Sequence, residues 1–421
     1  MEKMSSLICN IIKEHKEDWR DFFRENYPDI HIKEETETAY ALFSYSIKAN
    51  FNDPVVQEAR GIIINTEIPE VACYPFRKFG KPDESYVDTI DWSSSRVEEK
   101  IDGSLIKLWF DKILCKWQFS SNSVIRLEDA FCNDDHTMTL MDVLVQASGY
   151  EKIVDEILNT ESSILNKDKT YLFELISPNN KVVINHKATT IYHIGTRNNK
   201  TGIEEMTYIG IKRPDVYNLH SFEECQEFVT RDCNRHYKNR KYDDCRMEGF
   251  VVVDKNWNRM KIKSPLYSML HNIISSSETS KRHLIKMIWN NDIDLESIYK
   301  NYPDLTHCIK YYDWKISEFR YQATSFIDIS RKIYNLFNGD RKRVANIIKN
   351  DPFSVFAFRA LDNEKTLDEI VNGLNNPIKT ISDFMPDYEP KRNGYLLTTA
   401  YECLAKIKNN AEETINNDRQ N

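Results

Sequence analysis

The sequence predicts an α+β domain over residues 1–265 followed by an all-α domain over residues 266–421. Two observations predict it. From about Ala41 to Ser264, short runs of β-branched and aromatic residues end at turn residues and alternate with helix-period stretches; after Pro265 only helix-period patterns remain. No internal repeat and no long low-complexity linker interrupts this division.

Strands are expected at Gly61-Ile62-Ile63-Ile64, Leu105 to Phe110, Tyr171 to Ile176, Thr190 to Ile194 and Gly249 to Val253. Two helices are expected among them. One runs from Leu140 to Asn159, where Leu140, Val143, Leu144, Ile153 and Ile157 share a face, and the other lies near Phe222 to Arg231. In the second half the pattern predicts helices at Leu266–Ser275, Ser280–Asn290, Asp313–Phe337, Arg341–Lys349 and Tyr395–Ile415. Asn338-Gly339-Asp340, Asn350-Asp351-Pro352 and the stretch Pro386 to Gly394 supply the turns between them, and polar Asn416 to Asn421 are expected to fray.

A chain of 421 residues with 41% hydrophobic residues is long enough for two separate cores. A formal net charge of −8 argues against a protein that coats nucleic acid non-specifically, so any nucleic-acid site must be a local basic patch. The first apolar run, Leu7 to Ile12, is too short for a signal sequence, and charged residues interrupt every hydrophobic stretch before it reaches membrane-spanning length. Nine cysteines lack close paired spacing. The expected setting is the cytoplasm, with no membrane. Cys225, Cys233, His236 and Cys245 lack the paired spacing of a structural zinc site. The aromatic strings Tyr311-Tyr312-Asp313-Trp314 and Phe353 to Phe358 are expected to be helix core, and the basic groups Arg331-Lys332 and Arg341-Lys342-Arg343 a solvated face.

The most informative string is Lys100-Ile101-Asp102-Gly103-Ser104-Leu105, which is weak alone and gains weight from its context. Glu58-Ala59-Arg60-Gly61-Ile62 precedes it; Phe173-Glu174-Leu175-Ile176-Ser177-Pro178-Asn179-Asn180, Met247-Glu248-Gly249-Phe250 and Lys261-Ile262-Lys263-Ser264 follow it. With Leu42-Phe43-Ser44-Tyr45 and Lys78-Phe79, this ordered set resembles the covalent nucleotidyltransferase superfamily of ligases and capping enzymes. Within it the chain is similar to the phage-type RNA ligase 1 family, whose members repair broken tRNA. The resemblance extends from about Tyr40 to His271.

The resemblance implies a nucleotidyltransferase domain with ATP-grasp-like antiparallel sheets and helices, followed by a helical domain that chooses the RNA. It implies that Lys100 takes AMP from ATP, that AMP passes to an RNA 5′-phosphate, and that an RNA 3′-hydroxyl displaces it. Tyr45, Arg60, Lys78, Glu174, Lys261 and Lys263 would contact ATP, and Glu174 and Glu248 would hold Mg²⁺ or Mn²⁺. Asp102 would orient or activate the Lys100 amine, and Lys261 and Lys263 would share in catalysis. An unperturbed lysine, with a pKa of about 10.4, is protonated at neutral pH. Lys261 and Lys263, two apart on a strand, are therefore expected to favour the neutral amine by their positive charge.

Substrates would be RNA ends, broken tRNA among them. No Gly-x-x-x-x-Gly-Lys-Ser/Thr string occurs, so a separate end-healing kinase or phosphatase is expected where breaks carry 5′-hydroxyls. One departure stands out. The family usually carries a Ser-x-Lys/Arg-Gly turn where this chain has Ser120-Ser121-Asn122-Ser123. The rival readings are DNA joining or mRNA capping on the same scaffold, against which the helical texture after Pro265 argues, and a non-catalytic RNA-end binder, against which the intact lysines and glutamates argue.

Overall fold

A computed structural model describes residues 6–132, 136–158, 163–232, 245–274, 278–361 and 365–388. The helix expected at Tyr395–Ile415, the tail Asn416–Asn421, part of the turn before Gly394, and Cys233 and His236 lie outside the described residues. Two compact units divide the chain, with the boundary between Ser268 and Met269.

The first unit contains three sheets in which every strand pair is antiparallel. Strands Ile30–Glu34, Tyr40–Tyr45, Arg60–Asn65 and Glu70–Cys73 form the first in that order. Helices Leu7–His15 and Trp19–Asn26 cover it, with Ile8, Ile12 and Phe23 packed among Phe43, Ile62 and Ile64. The second sheet has the order Glu204–Glu205, Thr190–Asn198, Lys169–Ile176, Ser104–Asp111, Lys116–Ser120. Its Ile106, Leu108, Phe173 and Leu175 pack against Val143, Leu144 and Ile153 from helices. Trp109 from this sheet meets Tyr40 of the first edge-on, with ring centroids 5.1 Å apart. The third sheet has the order Val216–Tyr217, Arg96–Lys100, Gly249–Val253, Arg259–Lys263, and buries Val97, Phe250, Val252 and Ile262 against Cys225 and Val229.

Two helix expectations need correction. The stretch Leu140–Asn159 is two helices, Leu140–Leu144 and Tyr150–Leu158. Thr139 and Asp142 cap the first reciprocally, and Gly149, at φ +100, breaks the helical path before the second begins. Near Phe222 the α-helix ends at Glu227 and gives way to a wider π-type turn, Phe228–Asp232.

Among its described residues the second unit is built from helices, the longest Thr306–Leu336. That helix starts one to two turns before the expected Asp313 because Ile309, Tyr311 and Tyr312 are themselves buried. Phe319, Phe353, Phe356 and Phe384 form one aromatic cluster, with Phe353 stacked on Phe384 at 4.9 Å. Of the aromatic strings, Tyr311, Tyr312 and Phe356 are buried in the core, and Trp314, Phe353 and Phe358 are half-buried. Of the basic groups, Arg331 and Arg341 are turned to the carbonyls of Ala360 and Phe358. No described helix is long and apolar enough to cross a membrane.

Candidate active site

Lys100 ends strand Arg96–Lys100, where its backbone faces Gly249, and Gly249 faces Lys263 on the opposite side. The central strand thus holds one lysine on each flank. Glu248, immediately before Gly249, supplies the carboxylate for both: Oε2 accepts from Lys100 Nζ at 2.9 Å and Oε1 pairs with Lys263 Nζ at 2.8 Å. A glycine is required next to it. Gly249 stands at φ +144, and a Cβ there would overlap the Ile262 carbonyl and come within 2.9 Å of Lys263 Cα.

The two residues after Ile101 hold the loop that turns Lys100 into the second sheet. Asp102 is buried, and its carboxylate accepts from the amides of Val183 and Ile184 at 3.0 and 2.7 Å and from the Tyr267 hydroxyl at 2.7 Å. Its carbonyl meets His186 Nε2 at 2.7 Å. Among the hydrogen bonds of the described residues none joins Asp102 to Lys100. Gly103 lies so close to Leu175 that a Cβ would overlap that residue's carbonyl. This contact draws strand Lys169–Ile176 alongside and sets Glu174 opposite Leu105.

Arg60, Phe79, Lys100, Glu174 and Arg259 line one cavity. Arg60 lies over the Phe79 ring at 5.1 Å, and Lys261 approaches the same ring at 5.8 Å. Lys261 also stands 4.0 Å from Glu84. Of the expected site residues, Arg60, Lys100 and Glu174 line that cavity, and Tyr45, Lys78, Asp102, Glu248, Lys261 and Lys263 do not. Lys78 Nζ sits 4.9 Å over the Tyr45 ring and 4.3 Å over Phe51, close enough to Lys261 to depress its pKa.

Electrostatics correct one expectation. Burial alone would push the Lys100 amine down, but the Glu248 and Glu174 carboxylates outweigh it and hold the amine above the usual lysine range. In the free protein the amine is therefore protonated, despite the cations around it. Those cations bear the cost instead: burial, with Lys78 adding, pushes Lys261 down to about 7, and burial also lowers Lys263. Burial raises Glu174 to about 7 against the opposing charge of Lys100. Glu248 is buried too, but Lys100 and Lys263 keep it below the ordinary glutamate range.

Sequence reasoning missed Tyr267 and Lys107, and it named Phe79 beside Lys78 without giving it a role. Tyr267 follows Lys263 by four residues in helix Pro265–Ile274, so it had a signal in spacing. Lys107 had none, because a lysine between Ile106 and Leu108 reads as the outward residue of an alternating strand. The turn Ser120–Ser123 follows strand Lys116–Ser120 and packs its Asn122 backbone against Gly61.

The chain is similar to known proteins over part of its length. The family model described as RNA ligase matches residues 58–267, which include Arg60, Lys100, Glu174, Glu248, Lys261 and Lys263. A candidate bifunctional polynucleotide kinase/RNA ligase of Autographa californica nuclear polyhedrosis virus is 27% identical over 347 residues, covering 78% of this chain and 46% of that protein. The chain thus spans less than half the length of that relative. An RNA ligase of Rhodothermus phage RM378 is 22% identical over 307 residues, covering 60% of this chain and 68% of that one. A solved structure of an archaeal ATP-dependent RNA ligase has 11% identity and a TM-score of 0.39, covering 66% of this chain and 67% of the other. Over residues 58–267 the chain is similar to the phage T4 RNA ligase 1 family of RNA ligases.

Proposed function

We propose that the chain is an ATP-dependent RNA ligase that works through a lysyl-AMP intermediate on Lys100. The observation that carries this reading is the Glu248 carboxylate shared by Lys100 and Lys263, in a site that also contains Glu174 and Arg60. The Lys100 Nζ forms a bond to the α-phosphorus of ATP, the bond to the bridging oxygen breaks, and pyrophosphate departs with that electron pair. Glu248 Oε2, hydrogen-bonded to Nζ, orients the amine, and the Nζ proton leaves to solvent once the hold of the carboxylates on it is weakened. The AMP then passes to an RNA 5′-phosphate, and an RNA 3′-hydroxyl displaces it to form the phosphodiester. Lys261, Lys263 and Arg60 would offset charge on the phosphates, and Arg60's planar fork suits that work.

Glu174 and Glu248 fit a divalent ion, Mg²⁺ or Mn²⁺, whose shell the ATP phosphates would complete. Two buried carboxylates border one amine, and Glu174 is pushed up to about 7, a strain that a cation relieves. Such an ion would neutralise phosphate charge and withdraw the carboxylates' hold on the Lys100 proton. The second unit, from Met269 onward, would choose the RNA, with broken tRNA as the substrate class and end-healing left to a separate kinase or phosphatase.

The test uses RNA with a 5′-phosphate and a 3′-hydroxyl. Wild type should seal it with ATP and a divalent metal, whereas Lys100→Ala should not. Lys100→Ala should still seal pre-adenylylated RNA without ATP, because the last step needs no lysyl-AMP. Sealing of nicked DNA in preference to RNA would move the reading to a DNA ligase.

The two groups held near pH 7 make binding of a polyanion pH-dependent. Above about pH 7 the free protein has Lys261 neutral and Glu174 charged, so binding an anion must recapture a proton. Affinity for metal-free inorganic tripolyphosphate should therefore be level below pH 7 and fall above it by about tenfold per pH unit for each proton recaptured, with proton uptake in calorimetry. Equal affinity at pH 6 and pH 9 would contradict the assignment.

A further inference from the structure

Lys107 has no part in the chemistry above, yet it is fully buried, on strand Ser104–Asp111. Its Nζ donates to the carbonyl of Gly61, the residue that follows Arg60. No carboxylate acts on it. The charges it feels are Cys73 and Arg60, and burial with Arg60 pushes it down only to about 8, so it keeps its proton at neutral pH. A buried ammonium without a counter-charge is costly, and an apolar side chain of the same size would fill the space without that cost.

Among the described residues no carboxylate is hydrogen-bonded to Lys107. Arg60 Nη1 is buried without a hydrogen-bond partner, and so is the side-chain oxygen of Asn122. Gly61 stands at φ +79, and a Cβ there would come within 2.6 Å of Asn122 Cα and 2.9 Å of Lys107 Nζ, so the amine fits only because this residue is glycine. The turn Ser120–Ser123 beside it carries no cation. Lys107 faces Ser120 across the strand pair and places its amine at that spot from the neighbouring strand.

We infer that Lys107 is a positioning residue for the phosphate site: it fixes the Arg60–Gly61 start of strand Arg60–Asn65 and adds the positive charge that the Ser120–Ser123 turn lacks, so that Arg60 grips the ATP phosphate presented to Lys100. This rests on the reading of Lys100 as the nucleophile. Arg60 lines the cavity beside Lys100, and Lys107 stands behind it, reaching no ligand itself.

Three substitutions separate charge from hydrogen bond: Lys107→Gln keeps a donor for the Gly61 carbonyl without charge, Lys107→Met keeps neither, and Lys107→Arg keeps charge. The rate of lysyl-AMP formation is followed against ATP concentration, and the melting shift caused by inorganic tripolyphosphate is measured on the same proteins. For Gln and Met the KM for ATP should rise about tenfold or more, with a smaller fall in maximal rate, and the tripolyphosphate shift should disappear; Arg should recover part of both. If the Met variant does not fold, the Gln variant is read alone. A folded Gln variant with a wild-type KM and a wild-type shift overturns the inference, and so does loss of folding in both neutral variants, which would make the lysine structural. If wild type itself takes no AMP, the nucleophile reading fails, and the tripolyphosphate shift still decides whether Lys107 serves a phosphate site.

Discussion

Replacing Glu248 by alanine is expected to slow transfer of AMP to the protein by about 10²-fold, the cost associated with misplacing a reacting group. Glu248 is the sole carboxylate bonded to both Lys100 and Lys263 among the described residues. Without it the two amines and the nearby Lys261 and Arg60 would repel one another, and Lys100 would lose its orientation. The pH dependence separates this from a simple protonation effect. Glu248 raises the Lys100 pKa, so its removal makes the neutral amine available at lower pH. The residual rate of Glu248→Ala should therefore rise with pH at a lower pH than in wild type. A variant that keeps its rate within tenfold, with an unchanged pH profile, would show that this carboxylate does not govern the nucleophile.

The second large effect is on stability. Gly249→Ala forces an L side chain to adopt φ +144 and drives its Cβ into the Ile262 carbonyl of the paired strand. Backbone strain and overpacking together should cost roughly 3–5 kcal/mol. In a unit of this size that corresponds to a fall of about 10 °C in Tm. Gly373→Ala is the control: its φ is ordinary, and the nearest atom to an added Cβ is 3.5 Å away. It should change stability by no more than about 0.5 kcal/mol. Equal losses from the two would contradict the close approach of strands Gly249–Val253 and Arg259–Lys263.

Much of this site was legible because each motif residue has a steric or charge reason that its neighbours in sequence expose. Gly103 and Gly249 stand where strands touch, and both follow the acidic residues of their motifs. The charge state of Lys100 was not legible. Its partner Glu248 is 148 residues away in sequence, and spacing alone does not reveal that the carboxylate outweighs the lysines beside it. Asp102 was placed in the right loop, but its carboxylate holds Val183, Ile184 and Tyr267 rather than the amine. Lys107 stayed hidden for a simpler reason. Alternation along its strand predicts an outward lysine, and only the close approach of Gly61 from another sheet shows where its amine goes. The same limit applied to Leu140–Asn159, whose apolar face continues across a break that the capping of Leu140–Leu144 and the left-handed Gly149 impose.

The central claim is that AMP becomes covalently attached to Lys100, and the direct measurement is to incubate wild type and Lys100→Ala with a divalent metal and ATP labelled at either the α- or the γ-phosphate. After denaturation, wild type should carry the α-label and no γ-label, the label should map to the peptide containing Lys100, and Lys100→Ala should carry none. Label on both proteins would put the nucleophile elsewhere, and no label on wild type across metals and pH would contradict the covalent mechanism itself.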